Sequence, residues 1–343
     1  MHLASKTHFL SSDTKFLVWT LGGILLTLSG VIAFAGMGYI DIPFFDVCKI
    51  MIGSKENVIG STEWFVVHDI RLPRILTAIL TGVALSLSGL VFQGVLLNPL
   101  ADPYTLGISS GASFGAALAL LLGLSGVMIQ GSAFFFAIIS LGIVLRLATF
   151  EGRIIPVSLI LSGVIIGAFF SAGLSFSKYL AGDEIASIFF WLLGSFQGKT
   201  WMEVMILLAV VSFGSMVIYF YAEEINILSL GEKNASSMGV DTHRVRLILL
   251  VVASLMSSVT VSICGIIGFV GLIIPHMMRF LVGTDNKKLI IVCSLWGGIL
   301  LSMADNVSRA LLPHEVPIGI LTALLGAPFF AIVFRNKMRG KKR

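Results

Sequence analysis

The stretch Ile75-Leu-Thr-Ala-Ile-Leu-Thr-Gly-Val-Ala-Leu-Ser-Leu-Ser-Gly-Leu-Val-Phe-Gln-Gly-Val-Leu-Leu97 runs for 23 residues without a charged side chain. At roughly 1.5 Å per residue, a helix of that length covers about 34 Å, enough to cross a hydrocarbon core of about 30 Å. Comparable apolar runs occur at 16–37, 104–122, 126–145, 156–178, 201–221, 247–264, 266–282, 289–305 and 316–334, each bounded by polar, Gly or Pro residues. Together they predict about ten spans. A shorter apolar run, Ala186 to Phe196, cannot cross unaided and is expected as a re-entrant or interfacial helix buried against its neighbours.

Composition points the same way. Of the 343 residues, 57% are hydrophobic and 12% charged, and the mean hydropathy is +1.00. A soluble domain carries about 25% charged residues, so this chain has too few polar side chains to cover a soluble surface. The predicted class is therefore an all-α polytopic membrane protein, a single transmembrane domain over 1–343. No linker rich in Pro, Ser or charge and no segment long enough for a separate soluble domain interrupts it. The first span is preceded by Lys6 and Lys15 and contains Ala33-Phe34-Ala35, which resembles a cleavage site. Its apolar core is longer than the 7–15 residues usual for a signal peptide, and a retained helix is expected.

Lys and Arg gather on cytoplasmic connections. With an inside N-terminus, sixteen basic residues fall on inner segments and seven on outer ones. Both termini are thus expected in the cytoplasm, as an even number of spans requires. The net charge of +5 is a matter of topology here and does not indicate nucleic acid. The three cysteines, Cys48, Cys264 and Cys293, form no CxxC, and the six His include no HExxH or pair at ligand spacing, so no metal site is expected.

Four features stand out from ordinary spans and connectors. The inner loop 222–246 contains Asn226-Ile-Leu-Ser-Leu-Gly-Glu-Lys-Asn-Ala-Ser-Ser-Met-Gly-Val-Asp241. It predicts two short amphipathic helices with a turn between them, with Ser229 and Asp241 as caps. Such a unit suits docking of a soluble partner or, alternatively, lies on lipid headgroups. On the outer face, Arg71 and Arg74 in His68-Asp-Ile-Arg-Leu-Pro-Arg74, and Arg309 before the last span, oppose the positive-inside trend. Guanidinium forks suit an acidic partner. The alternative is snorkelling to lipid phosphate or pairing with Asp69, Asp305 or Glu315.

Gly107, Gly111 and Gly115 lie four apart on one face of the third span, a close-packing surface for another helix. Gly107-Ile-Ser-Ser-Gly111 also matches GxSxG, but that motif requires a strand-turn-helix elbow with a His and an acid, and here it opens a membrane helix. His276 after Pro275, and Gln93, are read as polar groups satisfying backbone or joining helices within the bilayer. No GxxxxGK[ST] loop occurs, so ATP hydrolysis by that route is excluded.

The segments Arg71-Leu-Pro-Arg74, Ser88-Gly89, Gln93 and Asn98-Pro-Leu-Ala-Asp-Pro103 resemble the membrane subunits of type II ABC importers for iron-siderophores, haem and cobalamin, the FecCD or BtuC-like permeases. Leu230-Gly231, Met238-Gly239-Val240, Gly268-Phe-Val-Gly-Leu-Ile-Ile-Pro-His276, Ala304-Asp305 and Val316-Pro-Ile-Gly-Ile-Leu-Thr-Ala-Leu-Leu-Gly-Ala-Pro328 extend the resemblance. It covers residues 16 to 336.

The resemblance implies a BtuC-like permease fold in a prokaryotic cytoplasmic (inner) membrane. It implies a second permease copy, two cytoplasmic ATPase subunits and an extracytoplasmic substrate-binding protein. No cofactor is implied on this chain; ATP and Mg belong to the ATPase. The implied cargo is a metal chelate, iron(III)-siderophore first, with haem or cobalamin as alternatives. Leu230, Gly231, Glu232, Ala235, Met238 and Gly239 match the coupling helices that touch the ATPase. Arg71, Arg74 and Arg309 match arginines that engage acidic residues of the binding protein. Asn98 and Leu100 match a cytoplasmic gate. One departure stands at the inner start of the fifth span, where Pro156-Val157 replaces a hydroxyl pair of the cobalamin member.

The competing classes are weaker. An intramembrane enzyme needs converging acid, base or metal groups, and Asp305 and His276 fall near opposite faces. An ion-driven carrier would show paired ionisable groups or broken helices at mid-membrane, and none is evident in the sequence.

Overall fold

A computed structural model describes residues 12–38, 40–52, 61–310 and 315–340. Lys6, Lys55, Lys341, Lys342 and Arg343, which entered the orientation count, and His2, His8 and His314 lie outside the described residues. Fifteen α-helices follow in order among those residues. The first are α1 Ser12–Gly36, α2 Phe44–Ile52 and α3 Thr62–Phe65, the last running through a π-helical turn Val66–Arg71 into α4 Leu72–Val95. A 3₁₀ turn Pro103–Leu106 opens α5 Ile108–Leu121, and α6 Val127–Ala148 follows. A two-residue antiparallel hairpin, β1 Thr149–Phe150 with β2 Arg153–Ile154, leads to α7 Pro156–Leu180. Then come α8 Ile185–Leu192, α9 Trp201–Phe220, α10 Ala222–Leu228, α11 Glu232–Ser237, α12 Thr242–Cys264, α13 Val270–Val282, α14 Asn286–Ala310 and α15 Ile318–Gly340.

Among the described residues, seven helices are long and apolar enough to cross a membrane. The other three predicted spans are shorter than expected: Ile108–Leu121, Val270–Val282 and the apolar part of α15, Ile318–Ile332. The 14 residues of α5 cover about 21 Å. The chain makes up the distance with non-helical backbone, which is tolerated at membrane depth only when protein satisfies it. Ser195 N donates to Cys264 O at 2.8 Å and Gly319 N to Leu193 O at 3.0 Å. Tyr104 Oη donates to Ile267 O at 2.9 Å. Helix interruptions that the hydropathy pattern concealed are therefore present, and backbone hydrogen bonds among the chain's own segments close them.

The helix α4 is the hub, packed against α14, α12, α13 and α9, and nearly every residue from Ala84 to Val95 is buried. Close approach is set by glycine. A Cβ on Gly82 would lie 2.1 Å from Gly297 O, and one on Gly89 would lie 2.0 Å from Gly271 O. With lipid as apolar as leucine, such backbone-to-backbone packing holds spans together where burial from water does not. Ser86 Oγ adds a bond to Cys293 O at 2.8 Å, and Ser88 Oγ one to Ala253 O at 2.9 Å. The eight-residue α8 is too short to cross, as the sequence predicted for that region, but it is not buried against its neighbours as expected: only Ile188 is buried, while Ile185, Phe189 and Phe190 stand exposed.

Candidate docking and coupling sites

At one end of α4, the π-helical turn places Arg71 and Arg74 one turn apart, beside the C-terminal ends of α1 and α14. Both are buried, Arg71 at 4% exposure and Arg74 at 9%. Arg71 does not reach outward. Its Nη1 donates to Ala35 O at 2.8 Å and Gly36 O at 2.9 Å, and its Nη2 to Ile40 O at 2.5 Å. It thereby satisfies carbonyls at the negative end of α1 and anchors the segment beyond it. Gly38 lies against two guanidinium groups: a Cβ there would meet Arg71 Nη2 at 2.7 Å and Arg309 Nη1 at 2.9 Å.

Arg74 is held by carboxylates. Its Nε and Nη2 donate to Asp305 at 2.9–3.2 Å, and its Nη1 donates to Glu315 at 3.1 Å. The two partners differ in surroundings, since the Asp305 side chain is 6% exposed and that of Glu315 42%. Of the three acids weighed from sequence, Asp305 and Glu315 thus meet Arg74, while Asp69 pairs with His68 Nδ1 at 2.7 Å. Arg309 Nη2 donates to Phe34 O at 2.7 Å and Asn306 Oδ1 at 3.0 Å, and its buried Nε has no hydrogen-bond partner. The structure therefore gathers all three predicted arginines into one cluster. The carbonyl cage around Arg71 was not foreseeable, because backbone acceptors leave no trace in a sequence.

At the opposite end, α10 and α11 form the two short helices expected of the 222–246 loop. Ala222, Ile225 and Leu228, three residues apart, bury one face of α10, and a Cβ on Gly94 of α4 would touch Ile225. Asn226 ties α10 to the start of α14, donating to Asp285 Oδ1 at 3.1 Å and accepting from Asn286 N at 2.9 Å. Gly231 and Gly239 have φ of +97° and +85°, so each reverses the chain where a side chain would be strained. Asp241 caps α12 by accepting from Arg244 N at 3.1 Å. The expected cap at Ser229 is not formed: its hydroxyl donates back to Asn226 O, and Gly231 precedes α11 without a side-chain cap.

Leu230 and Met238 project into water at 58% and 59% exposure, with Glu232 exposed between them. Ala235, grouped with them from sequence, is fully buried. Its methyl packs against the chain's own core and supports the helix from beneath, so it is not available to a partner.

Asn98 and Leu100 lie in a tight turn at the inner end of α4. Asn98 Oδ1 accepts from Leu100 N at 3.0 Å, Asn98 N donates to Gln93 O, and Leu97 takes φ of +51°. Leu100 is exposed. Asp102 Oδ1 then caps the 3₁₀ turn, accepting from Tyr104 N at 2.8 Å and Thr105 N at 3.1 Å. Burial pushes its carboxyl up to about 6 against those two bonds. Gln93 joins α4 to α13, donating to Gly271 O at 2.9 Å while Arg279 donates to its Oε1.

The glycine stripe packs as expected at two positions. A Cβ on Gly111 would meet Phe136 O at 2.6 Å, and one on Gly115 would meet Ser132 O at 2.5 Å, both in α6. Gly107 departs from the helical face: at φ of +73° it turns the chain into α5 and accepts from Ser140 Oγ at 2.9 Å. No strand precedes it, so the GxSxG match has no nucleophile elbow. Among the described residues, no group of three His, Cys, Asp or Glu is placed to hold a metal ion.

Residues 24–336 match the model of the FecCD transport family. The chain is 42% identical over 280 residues to the cobalamin import system permease protein BtuC of Halobacterium salinarum, covering 81% of this chain and 76% of that one. It is 35% identical to the molybdate import system permease protein MolB of Haemophilus influenzae, covering 92% and 95%. To the iron(3+)-hydroxamate import system permease protein FhuB of Bacillus subtilis it is 34% identical, covering 93% and 83%. A metal-chelate type ABC transporter solved in an inward-facing conformation superposes with a TM-score of 0.82 at 33% identity, covering 92% of this chain and 98% of that one. The helical bundle, its arginine-rich outer end and its paired inner helices thus belong to a multi-pass protein of the prokaryotic cytoplasmic membrane, with ATP hydrolysis on partner subunits. The chain is a member of the FecCD transport family, the membrane permease subunit of an ABC importer for metal chelates.

Proposed function

We propose that this permease works as a homodimer with two ATPase subunits below and one substrate-binding protein above, and that its cargo is an iron(III)-siderophore. The observation that carries the coupling assignment is the exposure of Leu230 and Met238, two large apolar side chains standing in water just before and just after α11, in a unit that α10 fixes to α14 and α4 and α11 fixes to α12. Apolar knobs held rigidly in this way suit insertion into a groove on a soluble partner. ATP-driven closure of the ATPase pair moves the knobs, and the helices behind them turn that motion into alternating access, with Asn98 and Leu100 closing the inner end. Leu230→Glu with Met238→Glu should abolish co-purification of the ATPase subunits and leave the helical content of the chain unchanged. Normal co-purification would remove the assignment.

Arg71, Arg74 and Arg309 serve the binding protein, in divided roles. Arg71 holds the carbonyls of Gly36 and Ile40 at the outer end of α1, and Arg74 offers the contact that exchanges. Its inner partner Asp305 is buried, but Glu315 is half in water, so an incoming carboxylate displaces Glu315 at little cost. Such pairs fix register and speed encounter more than they add affinity. Iron-chelate transport is supported by relatives such as the iron(3+)-hydroxamate permease. The higher identity to the cobalamin permease supports cobalamin as the second choice. Uptake of radiolabelled ferric siderophore against labelled cobalamin in a deletion strain separates them: siderophore uptake restored by this chain is the expected result, and restoration of cobalamin uptake alone reverses the order.

A further inference from the structure

Arg246 is one of the most deeply buried charged side chains of the described residues, at 2% exposure, and neither docking nor gating uses it. It sits near the start of α12, as its fifth residue, and it reaches two other elements at once. Its Nη1 donates to Ile154 O of β2 at 2.9 Å, and the same nitrogen stands 3.5 Å from Glu232 Oε2 at the start of α11. Ile154 is two residues before Pro156, where α7 begins. One guanidinium therefore connects α11, which Leu230 and Met238 flank, with the inner end of a 25-residue span.

The surroundings leave room for this connection to move. Beside Arg246 lies a cavity of about 230 Å³ whose lining includes Arg153, Glu232, Ser236, Asp241 and His243. Buried Arg246 Nε and His243 Nδ1 have no hydrogen-bond partner there. Close-packed interiors transmit displacement stiffly, whereas a polar void of this size admits water and allows α11 to shift against α12. The hairpin follows α11 only if something ties them. A bidentate-capable, permanently charged guanidinium is the group suited to that task, and a buried charge holds its acceptors because leaving it unpaired is costly.

We infer that Arg246 is a positioning residue that carries displacement of the coupling helix α11, through Glu232 and the Ile154 carbonyl, to the inner end of α7. This rests on the assignment of α11 as the coupling element. The test uses the whole importer in proteoliposomes. Arg246→Gln should leave the ATPase subunits bound and hydrolysing ATP while transport per ATP falls at least tenfold. Arg246→Lys, which keeps one donor for Ile154 O, should recover much of it. Spin labels on Ser237 and Phe150, with Cys48 replaced by Ser, should report the same mean distance with and without ATP in the native background. In Arg246→Gln the distance should change with nucleotide.

Unchanged transport per ATP in Arg246→Gln, or a label distance that follows nucleotide already with Arg246 present, overturns the inference. If Arg246→Gln does not assemble, Glu232→Gln decides in its place: lowered transport per ATP supports the connection and native coupling refutes it. Failure of the coupling assignment itself is seen separately, as normal ATPase binding by the Leu230→Glu, Met238→Glu chain.

Discussion

Arg74 and Asp305 form a pair that the bundle cannot easily lose. Removing one member of a buried ion pair leaves the other uncompensated, at about 3–5 kcal/mol. Asp305→Ala should therefore lower the thermal midpoint of the detergent-solubilised chain markedly. Adding Arg74→Met should recover part of the loss, which a double-mutant cycle would measure. Glu315→Ala, at the exposed end of the same guanidinium, should cost under about 1 kcal/mol. Asp102 gives a second prediction with a sign. Its folded carboxyl lies near 6, above the unfolded value near 4, so folded protein holds more protons between those values and stability falls as pH rises through that window. Asp102→Asn, which keeps an acceptor oxygen for Tyr104 N and Thr105 N, should flatten that fall in thermal scans from pH 4 to 7. Asp102→Ala, which loses both the cap and the titrating carboxyl, should also flatten that fall and should cost about 1 kcal/mol at pH 4. The identities of these side chains were legible as candidates, but their partners were not. Arg74 meets Asp305 across 231 positions, and no local pattern announces such a pairing.

Helices were legible where the apolar run exceeded about 18 residues and blurred where glycine interrupted it. The spans at 126–145, 156–178 and 201–221 appear as α6, α7 and α9 within a few residues. Those at 104–122 and 266–282 start late, because Gly107 and the Gly265–Phe269 segment leave helical geometry while remaining apolar. Hydropathy measures the composition of such a segment and is blind to its dihedrals. Close packing is the second element-level property that a sequence hints at weakly. Gly89 reads as one small residue among many, yet its missing Cβ admits the Gly271 carbonyl. Gly89→Leu should force α4 and α13 apart, costing about 3 kcal/mol or more and breaking the Gln93 bond to Gly271 O. Gly142→Leu, in α6 with nothing near its Cβ position, should be close to neutral. Midpoints of the two variants compared in one detergent check this.

At the scale of the molecule, the two functional ends are joined by rigid helices. The arginine cluster closes the outer ends of α1, α4 and α14. The inner ends of α4 and α14 hold α10, and the start of α12 holds α11 through Arg246. Displacement at the inner face therefore has a continuous path of packed helices to the outer one, with the hub α4 in both. Topology was visible early because it follows from charge distribution and apolar length, which are properties of the chain alone, whereas the partners were implied by the resemblance of the motifs. The division of labour between Arg71 and Arg74 depends on tertiary contact and emerged only with the fold. An ion-driven carrier would use a gradient and no partner hydrolysis, so the energy source separates the classes. The decisive measurement is uptake of ferric siderophore into proteoliposomes containing this chain, its ATPase subunits and its binding protein. Accumulation that requires internal or external ATP at the ATPase face and persists when ionophores collapse every ion gradient is the predicted result. Uptake that proceeds without ATP and vanishes with the gradient would contradict it.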